Sequence, residues 1–479
     1  MHVAAPQSRL QFALAVGDIT PPVGIYHRMW GAATHDRAEG IHRPLRATAM
    51  VFQSRHAAPS STSRQVVIAL DHCLLGAPEL ERLASHVALA TGVEREALLV
   101  TFSHTHAAGL MSLDRIDLPG GELIPEYLDH VARRAAELTA QALGRLADVT
   151  FTYGVGRCAL AAHRDFWDAS AGRFVCGFNP QAPADDTVLV VRATRDSDGA
   201  ALATLVNYAC HPTTLAWDNR LISPDFPGAM RETVEIATGA PCVFLQGASG
   251  DLGPREGFVG DPAVADRNGR QLGYAVLSVC ESLPPPGVRF EYAGPVESGA
   301  TIGTWRYAPQ TEEEEHAAAV WEVRRWKIDL PYRNDLPTLE TVRQERDHWL
   351  EQEQAAATRG DLAAARDARA LVERRTRLLR RLETLPPGPA YPFPVTLMRM
   401  GNAWWLAVSG EPYNLLQTEL RRRFPHTPVV VMTLSDGWGP SYLPPRDLYD
   451  KGVYQESVSA LAPGCLETLI DQLAAAMQE

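Results

Sequence analysis

Short apolar runs, each four to seven residues long, recur through the first 290 residues, and most of them carry β-branched side chains. Val66–Leu70, Leu98–Phe102, Val188–Val191, Leu202–Tyr208 and Val243–Gln246 are the clearest. Runs of this length are too short for buried helices, and their lack of polar alternation marks strands covered on both faces. Between them, Glu126–Leu146 places apolar residues at helical spacing with charges on the opposite side. The expected architecture is therefore α/β, with mixed sheets and flanking helices.

Residues 311–385 read differently. The stretch from Thr311 opens with four consecutive glutamates, suited to a helix N-terminus. Leu339–Ala356 and Asp361–Thr384 then show helical composition, broken at Arg359-Gly360, which predicts an antiparallel helical hairpin. No catalytic residue types cluster there, so the expectation is an insertion used for packing or for joining two copies of the chain. Sheet pattern returns at Val395–Arg399, Trp404–Val408 and Val429–Thr433, and Val458–Met477 reads as a closing helix. The expected division is 1–310 and 386–479 as the catalytic unit, with 311–385 as the helical insertion.

A formal net charge of −12 leaves no basic surplus to neutralise phosphates, which argues against nucleic-acid binding. No apolar run reaches the length of a membrane span, so stable membrane insertion is not expected. Seven scattered cysteines without a CxxC pair fit reduced thiols, and the first residues lack the basic head and apolar run of a signal peptide. The expected location is cytoplasmic.

Chemistry concentrates where strands end. In LLVTFSHTHAAG a buried strand runs directly into His104 and His106. In extended backbone, residues two apart point to the same side, so one imidazole can ligate a metal while the other stands beside it as acid, base or transition-state partner. A second strand, LATLVNYACHPT, ends at His211 before a proline that stops pairing. Alone, His211 reads as an ordinary core histidine; two such strand ends point to a ligand site, because sites in α/β sheets gather there. Glu411 follows the WWLAV strand and opens a helical stretch, where alone it reads as a dipole partner or cap before it reads as a ligand. Tyr442 and Tyr454 lie in a Gly/Pro-rich loop region after the VVVMT strand, where aromatic residues commonly serve packing.

These pieces, in this order, resemble the N-terminal catalytic domain of the neutral, non-lysosomal ceramidase family. GDIT at Gly17–Thr20, the Arg164 region, LISPD at Leu221–Asp225 and QGASGDLGP at Gln246–Pro254 add to the likeness. The resemblance implies that His104, His211, Glu411 and Tyr442 are zinc ligands, and that His106, Arg164 and Tyr454 are catalytic polar residues. Such an N/O donor set suits Zn2+ with room for water, whose pKa the metal lowers towards about 7.

Two departures bear on substrate. The family's loop serine is replaced by Gly253, with Ser249 nearby but out of register, and the sequence stops near the end of the catalytic unit. The expectation is therefore a zinc amidohydrolase that cleaves a C–N bond of a small or moderately apolar amide, by attack of water. A zinc esterase or lactonase, or a silent relative that serves as a binding scaffold, are the alternatives.

Overall fold

The computed structural model describes residues 1–3 and 5–479. Its larger sheet has eight strands: β1 (Gln7–Asp18), β2 (Arg46–Gln53), β3 (Arg64–Leu70), β4 (Leu98–Phe102), β5 (Ala147–Arg157), β6 (Thr187–Arg195), β7 (Ala201–Tyr208) and β8 (Cys242–Gln246). Their spatial order is β8-β7-β6-β5-β1-β2-β3-β4. The interior of this sheet is antiparallel, whereas the two ends are parallel pairs, β3 with β4 and β7 with β8. A second sheet follows in the order β9 (Trp321–Pro331), β10 (Ala390–Met400), β11 (Ala403–Val408) and β12 (Val429–Met432), again closing on a parallel pair.

The two sheets face each other across a core that Phe12, Phe52, Phe151, Met398 and Trp405 share. Phe12 and Phe151 meet edge-on with centroids 5.0 Å apart, and Phe52 lies 5.5 Å from Trp405. Helices α1 (Ala77–Thr91) and α2 (Ile124–Leu143) cover the outer face of the large sheet at one end; α3 (Phe226–Thr238) and α4 (Pro262–Ser282) cover it at the other. The outer face of the small sheet packs residues such as Leu416 and Leu466, which lie on two further helices near the C-terminus. The result is a helix–sheet–sheet–helix stack, an α/β fold as expected. Both sheets are covered on both sides, which is why β4 and β11 are buried at every residue and carry no polar alternation.

The hairpin of α5 (Leu339–Thr358) and α6 (Leu362–Thr384) turns at Arg359–Gly360, where Gly360 sits at φ +76° and no Cβ penalty applies. The rest of 311–385 is not all helical. Thr311 and Glu314 form a capping box on a short helix, Glu312–Ala318, and the chain then enters β9. There Ile328 and Leu330 are buried while Lys327 and Asp329 are exposed, a strand period that the acidic helix start upstream obscures. The closing helix is also shorter than its sequence pattern: α7 (Leu415–Arg423) and α8 (Tyr454–Val458) precede α9 (Cys465–Gln478), and Pro463-Gly464 separates the last two.

The loop after β12 ties the two ends of the large sheet together. Thr433 N–H donates to Gln246 O of β8 at 3.0 Å, and Asp436 N–H donates to Val100 O of β4 at 2.7 Å. The Asn207 side chain of β7 adds a donor to Val431 O at 2.7 Å and an acceptor for its N–H at 3.1 Å. The C-terminal ends of β4, β7 and β11 are thereby gathered in one place.

Candidate active site

His104 and His211 lie two and three residues beyond the ends of β4 and β7, and Glu411 lies three residues beyond β11. Their donor atoms converge: His211 Nε2 is 2.8 Å and His104 Nε2 is 3.3 Å from the same Glu411 oxygen, Oε2. All three residues are buried. The other face of each imidazole is already committed, because His104 Nδ1–H donates to Cys73 O at 2.7 Å and His211 Nδ1–H donates to Ser249 O at 2.7 Å. With the proton on Nδ1, each neutral ring turns its Nε2 lone pair towards a carboxylate that also carries only lone pairs. Three buried acceptors aimed at one point repel one another unless a cation or a proton lies between them. The donor set therefore fits a metal ion, and the backbone carbonyls behind the imidazoles are the supporting bonds that metal-binding histidines use.

A second grouping of Cys73, His104 and His106 is also within ligating range. It fits less well, since the Cys73 thiol approaches His104 from its Nδ1 side, at 3.5 Å, where the carbonyl bond already uses the proton.

Glu411 is fixed by strand pairing rather than by a helix terminus. Glu411–Pro412 forms a two-residue parallel bridge with Tyr442–Leu443, with Glu411 in register with Tyr442. The Trp438 indole N–H donates to the other carboxylate oxygen, Oε1. Burial works against the Glu411 charge, and positive charge at this point, a proton shared with His104 and His211 or a cation in its place, is what holds its carboxyl well below the usual range.

The remaining expected site residues assemble around this centre. His106 Nε2 is 3.4 Å from His104 Nε2, and the two rings meet nearly at right angles. This closeness does not arise from extended backbone, because His104 takes a left-handed conformation at φ +66°. Such a conformation costs a β-carbon residue about 1–3 kcal/mol, and His104 N–H to His72 O at 2.9 Å helps to hold it. Burial, then the neighbouring His104 and His211, keep the His106 imidazole well below its ordinary value, hence neutral. Tyr442 stacks on His211 at 20° between planes, and the Arg164 guanidinium lies over the Tyr442 ring at 5.4 Å. Tyr454, 45% exposed, brings its ring within 5.8 Å of Tyr442 and lines the open side. Arg164 reaches this position because Leu252–Pro254 pairs with Ala161–His163, and its Nη2 donates to Gly250 O at 2.6 Å.

Gly253 sits in that same pairing, and a β-carbon there would meet only the Thr213 hydroxyl at 3.5 Å, so the position has room for a small side chain. Ser249 does not take over a serine's place: its hydroxyl bonds Gln246 and lies 3.2 Å from His211 Nδ1, behind the ring.

Sequence reasoning misses three contributors. Trp438, in a Gly-flanked loop, bonds Glu411. Trp30 packs on His106 at 5.2 Å and, with Trp217 and Phe258, forms an aromatic wall beside it. The third is Arg381 of α6, in the insertion expected to serve packing or to join two copies, and it lies over the Trp438 ring at 4.5 Å.

No protein-family model matches the chain, and no curated protein sequence does. Solved structures do match. The neutral ceramidase from Pseudomonas aeruginosa is 16% identical with a TM-score of 0.65, over 98% of this chain and 74% of that one. A ceramidase complexed with C2 is 17% identical with a TM-score of 0.65, over 99% of this chain and 76% of that one. The chain thus has the neutral ceramidase fold, and has it over nearly its entire length.

Proposed function

We propose that this protein is a zinc-dependent hydrolase that cleaves the C–N bond of a small or moderately apolar amide. One observation carries the reading: two Nε2 lone pairs and a carboxylate oxygen converge in a buried site whose histidine protons are already spent on carbonyls. His104, His211 and Glu411, with the Tyr442 phenol beside them, are the residues that would hold the ion. Bound there, zinc supplies a Lewis acid that polarises the amide carbonyl and lowers the pKa of water.

The chain's own groups supply the rest. His106 is neutral, adjoins the donor cluster and is held by Trp30, so it serves as the proton-accepting or hydrogen-bonding partner of the reacting group. Arg164 and Tyr454 flank Tyr442 from two directions and direct donors at the oxygen on which negative charge develops. Gly253 offers no hydroxyl, and Ser249 faces the back of His211, so this loop provides no side chain for an acyl-enzyme. Water is then the nucleophile, and hydroxylamine added during turnover is expected to give no hydroxamate. The aromatic wall of Trp30, Trp217 and Phe258 provides the apolar surface against which an acyl or aryl group packs.

The test is metal analysis of the purified protein followed by a panel of amides and matched esters. About one zinc per chain with amide turnover supports the reading. A zinc-loaded protein that cleaves only esters makes it an esterase, and one that cleaves neither overturns the assignment.

A further inference from the structure

Among the described residues five arginines are buried: Arg28, Arg115, Arg164, Arg231 and Arg381. Three are neutralised by carboxylates, Arg28 by Asp36 at 3.6 Å, Arg115 by Glu373 at 2.7 Å and Arg231 by Asp71 at 2.6 Å. Arg164 and Arg381 have no carboxylate at ion-pairing distance among the described residues, and both stand at the candidate active site. A buried guanidinium without a counter-charge is costly, so its retention in this one place calls for an explanation.

Arg164 has one, beside Tyr442 in the proposed catalytic group. Arg381 lies farther out and belongs to α6. Arg369, Glu373, Arg377 and Arg381 recur every four residues along one face of that helix. The first three are anchored: Arg369 to Asp36 at 2.6 Å, Glu373 to Arg115, and Arg377 to Met29 O at 2.5 Å, next to Trp30. Arg381 ends the row. It is 6% exposed, gives one N–H to Val458 O and leaves its Nε without a partner. Its plane lies on the Trp438 indole, whose N–H holds Glu411. Burial lowers its pKa to about 10, which leaves it protonated at neutral pH, with Tyr454, Glu411 and Tyr442 favouring its charge and Arg374 opposing it. The helical hairpin is therefore a roof on the site, and its one buried arginine without a carboxylate partner among the described residues lies one indole away from the metal-ligand carboxylate.

We infer that the amide substrate carries a carboxylate, which Arg381 binds across Trp438 when the scissile bond lies at the donor cluster. This inference rests on the amidohydrolase reading and narrows it to anionic amides. The carboxylate can sit on the amine half, as in N-acyl amino acids, or on the acyl half, as in monoamides of dicarboxylic acids. Charge-assisted pairing to a fixed guanidinium supplies the discrimination against a neutral isostere.

The experiment has a binding arm and a turnover arm. In the first, calorimetry on the zinc-loaded His106→Ala variant compares N-acetyl amino acids, dicarboxylic monoamides and the matching uncharged carboxamides. Carboxylate ligands of one of the two series are expected to bind at least 10-fold more tightly than their carboxamides, and the series that does so identifies the half that bears the charge. In the second, kcat/KM for the acid is divided by that for its carboxamide. This ratio is expected to exceed about 10² in the unaltered enzyme, to fall towards one in Arg381→Met, and to recover in part in Arg381→Lys. Zinc content and the thermal midpoint of each variant report folding. Equal binding of acid and carboxamide overturns the inference, as does a ratio that Arg381→Met leaves unchanged. If no amide is cleaved but carboxylates still bind through Arg381, the anion site stands and the hydrolase reading falls.

Discussion

The donor cluster and the helical roof sit against each other but are built by opposite means. The cluster is made by sheet geometry: each donor projects from just beyond a strand end, and backbone carbonyls fix both histidines. The roof is held by side-chain charges on one helix, with Arg369, Glu373 and Arg377 reaching to the loop over residues 28–36 and to Arg115. Backbone-defined positions tolerate little variation, whereas ion pairs at a periphery can be rewritten one residue at a time. On the proposed reading, the difference places the chemistry in the sheets and the choice of substrate in the insertion.

The largest expected effect separates the two regions outright. His211→Ala is expected to reduce zinc from about one per chain to near zero, because an open shell loses a neutral nitrogen ligand. Replacing residues 339–384 with a short loop is expected to leave zinc in place. Elemental analysis of both proteins decides, and loss of zinc from the loop replacement breaks the comparison.

Next in size, His106→Ala is expected to retain metal and to lower kcat about 10³-fold. Tyr454→Phe should act in the same direction with a smaller loss. Unchanged turnover in both variants removes these residues from the chemistry.

The roof has its own signature in acid. Burial opposes the Glu373 charge, but Arg377 and Arg115 hold its pKa down to about 2, against an ordinary 4.5. A carboxylate depressed on folding contributes stability that is fully present above about pH 4.5 and is lost as pH falls towards 2. The size of that contribution is about 3 kcal/mol. Glu373→Gln is expected to cost stability at neutral pH and to flatten this acid limb, read by chemical denaturation from pH 7 down to 3. An identical pH profile in the variant would show that the pair does not hold the roof.

The smallest effect lies where the regions meet. Trp438→Phe removes one hydrogen bond from Glu411 while keeping an aromatic surface under Arg381, and zinc affinity is expected to fall about 10-fold. A competition titration with a chromophoric chelator measures it.

Much of this was legible in the chain. The buried strands announced themselves as apolar runs, and the His104–His106 pair stood at the end of one. Glu411 could be singled out because a strand ran straight into it. β9 was hidden, since its alternation at Lys327–Leu330 follows an acidic helix start and is masked by tryptophan and arginine upstream. Arg381 was not legible at all. It is one of seven arginines in α6, and only the docking of that helix on Trp438 and Val458 sets it apart. Trp438 likewise gains its meaning from a contact with Glu411, 27 residues away.

The strap from Thr433 to Asp436 also has a consequence for how the molecule assembles. It joins β4 and β8 through contacts that span 336 and 187 residues of chain, as the Val100–Asp436 and Gln246–Thr433 bonds show. Loops of that length close late, after local hairpins and helix pairs have formed. His104, His211 and Glu411 cannot meet until they do. During refolding the far-ultraviolet signal should return first and the capacity to bind metal only afterwards, so that the reactive centre is the last part of the protein to exist.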